Sequence, residues 1–230
     1  MPQVTLVRHA QASFFGSDYD ELSDLGREQA EALGRYWAIT GFSVDRIYVG
    51  PRKRHQSTCD IVLKAVRLTG ERWPDPEPLD LLDEHEGIQV VKRTLGHGDG
   101  PGIHADVVAA EDREAARRQF FKAYARSLGE WAEGRIALPG VETWNEFRAR
   151  AARALEVLCQ HPGRSLAFTS GGLVSAALGA LLGLDSERVI DLSLVLRNTA
   201  ITELADSGTR RRLISFNGTP HLADDSVTAV

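Results

Sequence analysis

Short apolar runs alternate with longer amphipathic stretches along this chain, and the alternation repeats from one end to the other. Val4 to Val7 predict a buried strand that stops at Arg8-His9. A helix follows, with Ser23 as its N-cap and Leu25, Ala32, Leu33, Tyr36 and Trp37 recurring on one face. Val44 to Val49 predict a second strand, after which Gly50-Pro51 opens a helix carrying Ile61, Val62 and Ala65, with proline at its first position. Leu79, Leu81 and Leu82 predict a third, short strand ending in the polar cluster Asp83-Glu84-His85-Glu86-Gly87.

Gly96 to Gly102 are glycine-rich, and from about Glu111 to Trp131 a charged helix carries Phe120, Phe121, Tyr124 and Leu128 as an apolar stripe; this stretch reads as an inserted cap over about 88–140. Another helix starts at Thr143, with Trp144, Phe147, Ala151, Leu155 and Leu158 on one face, and His161-Pro162-Gly163 stops it. Leu166 to Thr169 predict the next strand, and Ser170-Gly171-Gly172 leads into a small-residue helix through Leu182. Thr199 to Leu204 and Arg211 to Phe216 read as a late hairpin, and the tail after Gly218 reads as loose. Strands and helices in this order predict an α/β fold, a three-layer α/β/α sandwich with a mainly parallel sheet, and place ligands beyond the carboxyl ends of the strands.

Composition narrows the function classes. A length of 230 residues, 43% hydrophobic and 26% charged, suits one α/β domain over 1–230. The net charge of −5 argues against nucleic acid as a partner. Cys59 and Cys159 lack metal-ligand spacing and read as core thiols of a reducing compartment. Met1-Pro2-Gln3 runs straight into the first strand and no apolar stretch is of membrane-spanning length, so a cytoplasmic enzyme without membrane association is expected. Oligomeric state stays open, a homodimer being one option.

Three predicted strand ends deliver Arg8-His9, Gly50-Pro51 with Arg54 a turn later, and Glu84 to one rim. Arginine forks match phosphate oxygens bidentately, and a helix opening at Gly50 would add backbone N–H groups, so the expected ligand is a small phosphorylated molecule. An imidazole beside two guanidinium charges is expected to be neutral near neutral pH, with a nucleophilic nitrogen available. Its second nitrogen needs an acceptor to orient the ring.

Leu6-Val7-Arg8-His9-Ala10 resembles the Arg-His-Gly signature of the histidine phosphatase superfamily, which includes the phosphoglycerate mutases. The resemblance continues in Leu22 to Ala30, in Gly50-Pro51-Arg52-Lys53-Arg54 with Ser57-Thr58, in Leu82-Asp83-Glu84, in Phe168 to Gly172 and in Arg197 to Leu204. It implies a phosphoglycerate mutase-like fold and a phosphomonoester phosphatase needing neither metal nor cofactor. His9 would become a transient phosphohistidine, Arg8 and Arg54 would hold the nonbridging oxygens, Ser170 and Gly171 would add phosphate contacts, and Glu84 would be the general acid, with a raised pKa. A mutase-type isomerase and a non-catalytic phospholigand-binding protein are the alternatives.

Two positions depart from the pattern. Where the family places a second histidine this chain has Ser170, which donates a hydrogen bond but carries no charge; loss of one such donor costs about 10²- to 10³-fold in rate. His85, His97 and His104 are the candidate replacements, while His55, about 100° around the helix from Arg54, reads as a surface residue. The asparagine expected six residues after the nucleophile is Phe15, leaving Ser13 as a substitute contact. Neither Asp83 to Glu86 nor His97 with His104 reads as a metal site, and Ser170 lacks the Gly-x-Ser-x-Gly context of a nucleophile elbow.

Overall fold

The computed structural model describes residues 1–13, 20–94 and 113–229. Its strands are β1 (Gln3–Arg8), β2 (Arg46–Val49), β3 (Pro76–Pro78), β4 (Arg164–Thr169), β5 (Ile201–Asp206) and β6 (Arg211–Gly218). The helices among the described residues are α1 (Asp24–Thr40), α2 (Lys53–Arg67), α3 (Gly87–Thr94), α4 (Arg113–Ala132), α5 (Trp144–Leu158), α6 (Gly171–Leu182) and α7 (Ser186–Val195). The six strands form one sheet in the order β3-β2-β4-β1-β5-β6. β3, β2, β4 and β1 are mutually parallel, and β5 and β6 add the expected antiparallel hairpin.

Period-two alternation assigns each strand residue to a layer. Val7, Ile47, Val49, Leu166 and Phe168 join Leu33, Trp37 and Val62 of α1 and α2 in one core. Leu6, Tyr48 and Ala167 face the opposite way, onto Phe147, Leu155, Leu173 and Leu178 of α5 and α6. The helix starts follow their side chains: Ser23 accepts from the Gly26 amide, and Thr143 with Glu146 forms a complete capping box. Both cysteines are buried and free. Among the described residues no helix is long and apolar enough to cross a membrane.

Three expectations fail. The third strand is Pro76–Pro78, not Leu79 to Leu82, and Asp80–Leu82 form a 3-10 turn. β3 tolerates its prolines because it lies at the sheet edge, and Leu82 is apolar because it is buried in the α5 core, not because it alternates. The second helix begins at Lys53, so Pro51 precedes it instead of occupying its first turn.

The tail after Gly218 is tied down. Asn198 donates its amide to Thr228 O (2.8 Å), Thr228 Oγ1 donates to Asn198 Oδ1 (2.9 Å), and buried Gln29 donates through Nε2 to Ser226 O and Thr228 Oγ1, each 2.8 Å. A polar tail held by hydrogen bonds leaves no apolar period to read.

His221 of this tail lies 2.8 Å from Thr199 Oγ1, which itself donates to Asn198 O, so His221 Nε2 must carry a proton and donate. Its Nδ1 has no partner among the described residues, and burial pushes the imidazole down to about 4. A folded-state pKa below the unfolded value near 6.5 gives stability present above pH 6.5 and lost as pH falls toward 4. Urea midpoints measured from pH 7 to 4 should therefore fall more steeply in the wild type than in His221→Gln; parallel curves would reject a neutral, docked His221.

Candidate active site

β1 and β4 pair in parallel with Arg8 opposite Thr169, and β2 pairs with β4 through Val49 and Phe168, so all three strands end on one rim. The loop leaving β1 is fixed on several sides. His9 N–H donates to Thr169 O (2.8 Å), and His9 O accepts from Asn198 Nδ2 (3.2 Å) and the Thr199 amide (3.4 Å). Ala10 N–H donates to Thr58 Oγ1 (3.0 Å), which in turn donates to Arg54 O (2.7 Å), coupling this loop to the first turn of α2. Thr199 holds a positive φ of 55° at this junction, a conformation unfavourable for a β-branched residue and sustained by these bonds.

His9 Nδ1 lies 2.7 Å from its neighbour's carbonyl, Ala10 O. That contact requires a proton on Nδ1 and leaves Nε2 as the bare nitrogen. Burial drives the His9 imidazole well below its ordinary value, and the charges of Arg54 and Arg8 together with His55 act in the same direction. The ring is neutral at neutral pH.

Arg8 and Arg54 are both almost fully buried. Arg8 donates through Nη1 to Leu196 O. Arg54 donates through Nη1 to Asp20 Oδ1 (2.8 Å), and Asp20 Oδ2 accepts the Lys53 amide (2.9 Å). The expected role of Gly50 is therefore corrected: its N–H is taken by Phe168 O (3.0 Å), and the first amide of α2 by Asp20. The helix whose start meets this rim is α6, with Ser170 as N-cap residue and Gly171 beside the Arg8 side chain, 3.4 Å being all the room a Cβ there would have.

The segment carrying Glu84 is clamped from below. Arg150 donates to Leu81 O (3.1 Å), Asp83 O (2.7 Å) and Glu84 O (3.4 Å) while paired with Glu142 (2.7 Å). Arg52 pairs with Asp83 (2.6 Å) and Glu86 (3.0 Å), so those two carboxylates are turned to one cation. Glu84 alone points back to the rim, accepting from the Gly172 amide (3.3 Å) and the His85 amide (3.0 Å). A side-chain carbon at Gly172 would collide with this carboxylate, which explains the glycine.

The expected rise of the Glu84 pKa is not found. Burial pushes the carboxyl up, but His85, the Arg54 charge and the two amides outweigh it and hold the group below its ordinary value. His85 itself accepts the Gly87 amide at Nδ1 (2.9 Å), so its Nε2–H faces Glu84 Oε1 (3.7 Å), and its ring packs edge-on against Phe147.

His55 is the clearest correction. It does lie around the helix from Arg54, but that direction leads inward, and the residue is fully buried. Lys53 and Gln56 take the wet side of the first turn of α2, which sits across the rim with Arg54 toward Asp20 and His55 toward the end of β4. His55 Nε2 lies 2.5 Å from Ser170 Oγ, and its ring is 5.7 Å from that of His9. Burial and then the charges of Arg54 and Arg52 depress its pKa well below the ordinary value. Helical angle alone cannot say which faces are covered, which is why this residue escaped the sequence reading. Asp20, Thr58 and Asn198 also went unassigned, although Thr58 and Asn198 stand in matched motifs.

Ser13 donates its amide to Glu21 O (2.7 Å). Phe15, His97, His104 and the glycines from Gly96 to Gly102 lie outside the described residues. Among the described residues no group of three His, Cys, Asp or Glu side chains is arranged to hold a metal ion.

This α/β sheet brings a histidine, two buried arginines and a carboxylate to one rim, a set of groups with the chemistry to hold and transfer a phosphoryl group. The chain belongs to the histidine phosphatase superfamily, branch 1, whose family model matches residues 4–84 and 105–219. No curated protein sequence gives a significant match. Similar solved structures include a phosphoserine phosphatase variant from Entamoeba histolytica in complex with phosphoserine, 18% identical, covering 97% of this chain and 100% of that one with a TM-score of 0.65. A mycobacterial glucosyl-3-phosphoglycerate phosphatase is 21% identical, with coverages of 94% and 99% and a TM-score of 0.59. A phosphoglycerate mutase from Bacillus anthracis is 14% identical, with coverages of 96% and 94% and a TM-score of 0.60. At these identities the likeness establishes the fold.

The Thr58 link can be tested directly. Thr58→Val keeps the shape but leaves the buried Ala10 amide without an acceptor, a loss of about 1–3 kcal/mol. The urea midpoint should drop with an unchanged m-value; an unaltered midpoint would show that the loop does not depend on this bridge.

Proposed function

We propose that this protein is a metal-independent phosphomonoester phosphatase that works through a phosphohistidine formed on His9. The observation that carries the reading is the His9 tautomer: Nδ1–H is committed to Ala10 O, which leaves a bare Nε2 at the rim with the buried charges of Arg8 and Arg54 close enough to depress the ring's pKa. Nε2 attacks phosphorus in line with the departing ester oxygen, and the guanidinium groups take up charge on the nonbridging oxygens. Glu84 supplies the proton to the leaving oxygen and then accepts one from the water that cleaves the phosphohistidine.

A phosphate dianion arriving beside Glu84 adds negative charge and so raises the affinity of that carboxyl for a proton. This reconciles an acid's role with the low pKa of the free site. Substrate choice falls to α3 and α4, which pack together through Val91 and Phe120 and belong to the insertion over 88–140. The phosphoserine phosphatase and the glucosyl-3-phosphoglycerate phosphatase among the similar structures support a small phosphorylated metabolite as substrate.

Hydrolysis of p-nitrophenyl phosphate should survive a chelator and vanish in His9→Ala. Metal dependence, or turnover that ignores His9, would reject the mechanism; phosphate binding without any turnover would instead mark a phospholigand-binding protein. Glu84→Gln should slow an alkyl monoester by about 10²- to 10⁴-fold and affect p-nitrophenyl phosphate, whose leaving group needs no proton, far less.

The pH dependence follows from two lowered pKa values. The productive state has His9 neutral and Glu84 protonated, and lowering pH from 8 toward 5 increases the second without destroying the first. The kcat/KM for an alkyl monoester should therefore rise on acidification, and the rise should flatten in Glu84→Gln. An identical profile in both proteins would remove Glu84 from the proton transfer.

A further inference from the structure

Ser170 and His55 form a closed pair with a defined direction. Both are fully buried, and the 2.5 Å contact between His55 Nε2 and Ser170 Oγ is the hydrogen bond that each side chain makes among the described residues. Ser170 occupies the N-cap position of α6 yet makes no side-chain cap bond. His55 Nδ1 has no partner among the described residues. An orphaned buried N–H is more costly than a bare lone pair, so the proton belongs on Nε2 and Ser170 Oγ accepts it. The hydroxyl hydrogen of Ser170 is then released from any duty toward His55.

The direction in which that hydrogen can act is fixed by the surroundings. Ser170 follows Thr169, whose carbonyl holds the His9 amide, and precedes Gly171, which lies against Arg8. The His55 ring itself is 5.7 Å from the His9 ring. The space for His55 is made by Gly50, where a Cβ would collide with the imidazole Nδ1. A large aromatic side chain is thus accommodated at the rim by a residue with no side chain and is joined to a serine at the start of α6.

We infer that His55 is a positioning residue for the phosphoryl contact: it donates Nε2–H to Ser170 Oγ and thereby aims the Ser170 hydroxyl at a nonbridging oxygen of the group transferred to His9. No proton leaves the pair. The polarised hydroxyl is a stronger donor than an isolated serine, because a hydrogen bond accepted at oxygen strengthens the one donated from it. The inference rests on the phosphohistidine reading for its effect on rate, but the contact with a phosphoryl-like anion does not require turnover.

Two substitutions of similar volume separate positioning from filling. His55→Gln retains an N–H donor on α2, whereas His55→Met fills the space without one. His55→Met should lower kcat by about 10²-fold with KM nearly unchanged, and His55→Gln should keep a substantial part of the rate. Ser170→Ala should match His55→Met, and the double variant H55M/S170A should be no slower than either single change, as expected of residues acting as a unit. Vanadate affinity, measured by calorimetry, should fall about tenfold or more in His55→Met and Ser170→Ala and be largely kept in His55→Gln.

Full activity and full vanadate affinity in His55→Met would overturn the proposal, as would losses that multiply in the double variant. A wild type lacking His9-dependent turnover would defeat the phosphatase reading alone, since the vanadate series would still report whether His55 directs Ser170 at the anion. Far-UV circular dichroism and urea midpoints confirm that each variant is folded before it is compared.

Discussion

The parallel pairing of β1 with β4 is the constraint on which the rest of the site depends. With Arg8 opposite Thr169, the residues that follow each strand, His9 and Ser170, emerge side by side, and the Thr169 carbonyl is left to hold the His9 amide. A slip of one residue would turn Leu6 and Val7 to the wrong cores and carry Arg8 away from α6. The large buried cores on both faces therefore fix the register, and the register fixes the chemistry. The same register lets β2 deliver Gly50 and the start of α2 to this rim.

Burying several basic groups together is costly unless their charge is compensated. Here the cost is limited in three ways. Asp20 pairs with Arg54, the Leu196 carbonyl accepts from Arg8, and both nearby imidazoles are neutral instead of cationic. The anions that remain near the rim are held at its edges: Asp83 and Glu86 on Arg52, Glu84 on backbone amides. In the proposed mechanism an incoming phosphoryl group places further negative charge beside Arg8 and Arg54, as expected of a site preorganised for an anion.

Much of this was legible in the sequence. The alternation in β1, β2 and β4 and the amphipathic faces of α1 and α5 announce their elements, and Ser23 and Thr143 mark helix starts because their side chains do the capping themselves. The gathering of Arg8, His9 and Arg54 at one rim follows from strand ends in a parallel sheet, whereas Glu84 reaches it from the segment after the 3-10 turn and not from the strand end expected for it. What escaped depends on tertiary context. Leu79 to Leu82 look like a strand because a 3-10 turn pressed under α5 needs the same apolar residues. The tail from Thr219 to Ala229 is secured by Gln29 and Asn198, polar contacts that leave no periodic trace.

His55 shows why a motif comparison position by position falls short. Read alone, Ser170 is a position where the imidazole of the resemblance is lacking, and His55 is one more basic residue in a charged helical turn. The fold joins them: the turn of α2 crosses the rim, Gly50 clears the space, and an imidazole arrives at Ser170 from a different element. Three residues separated by up to 120 positions in sequence thus act on one point, and neither period nor spacing encodes that meeting. Only the packing of α2 against the end of β4 does.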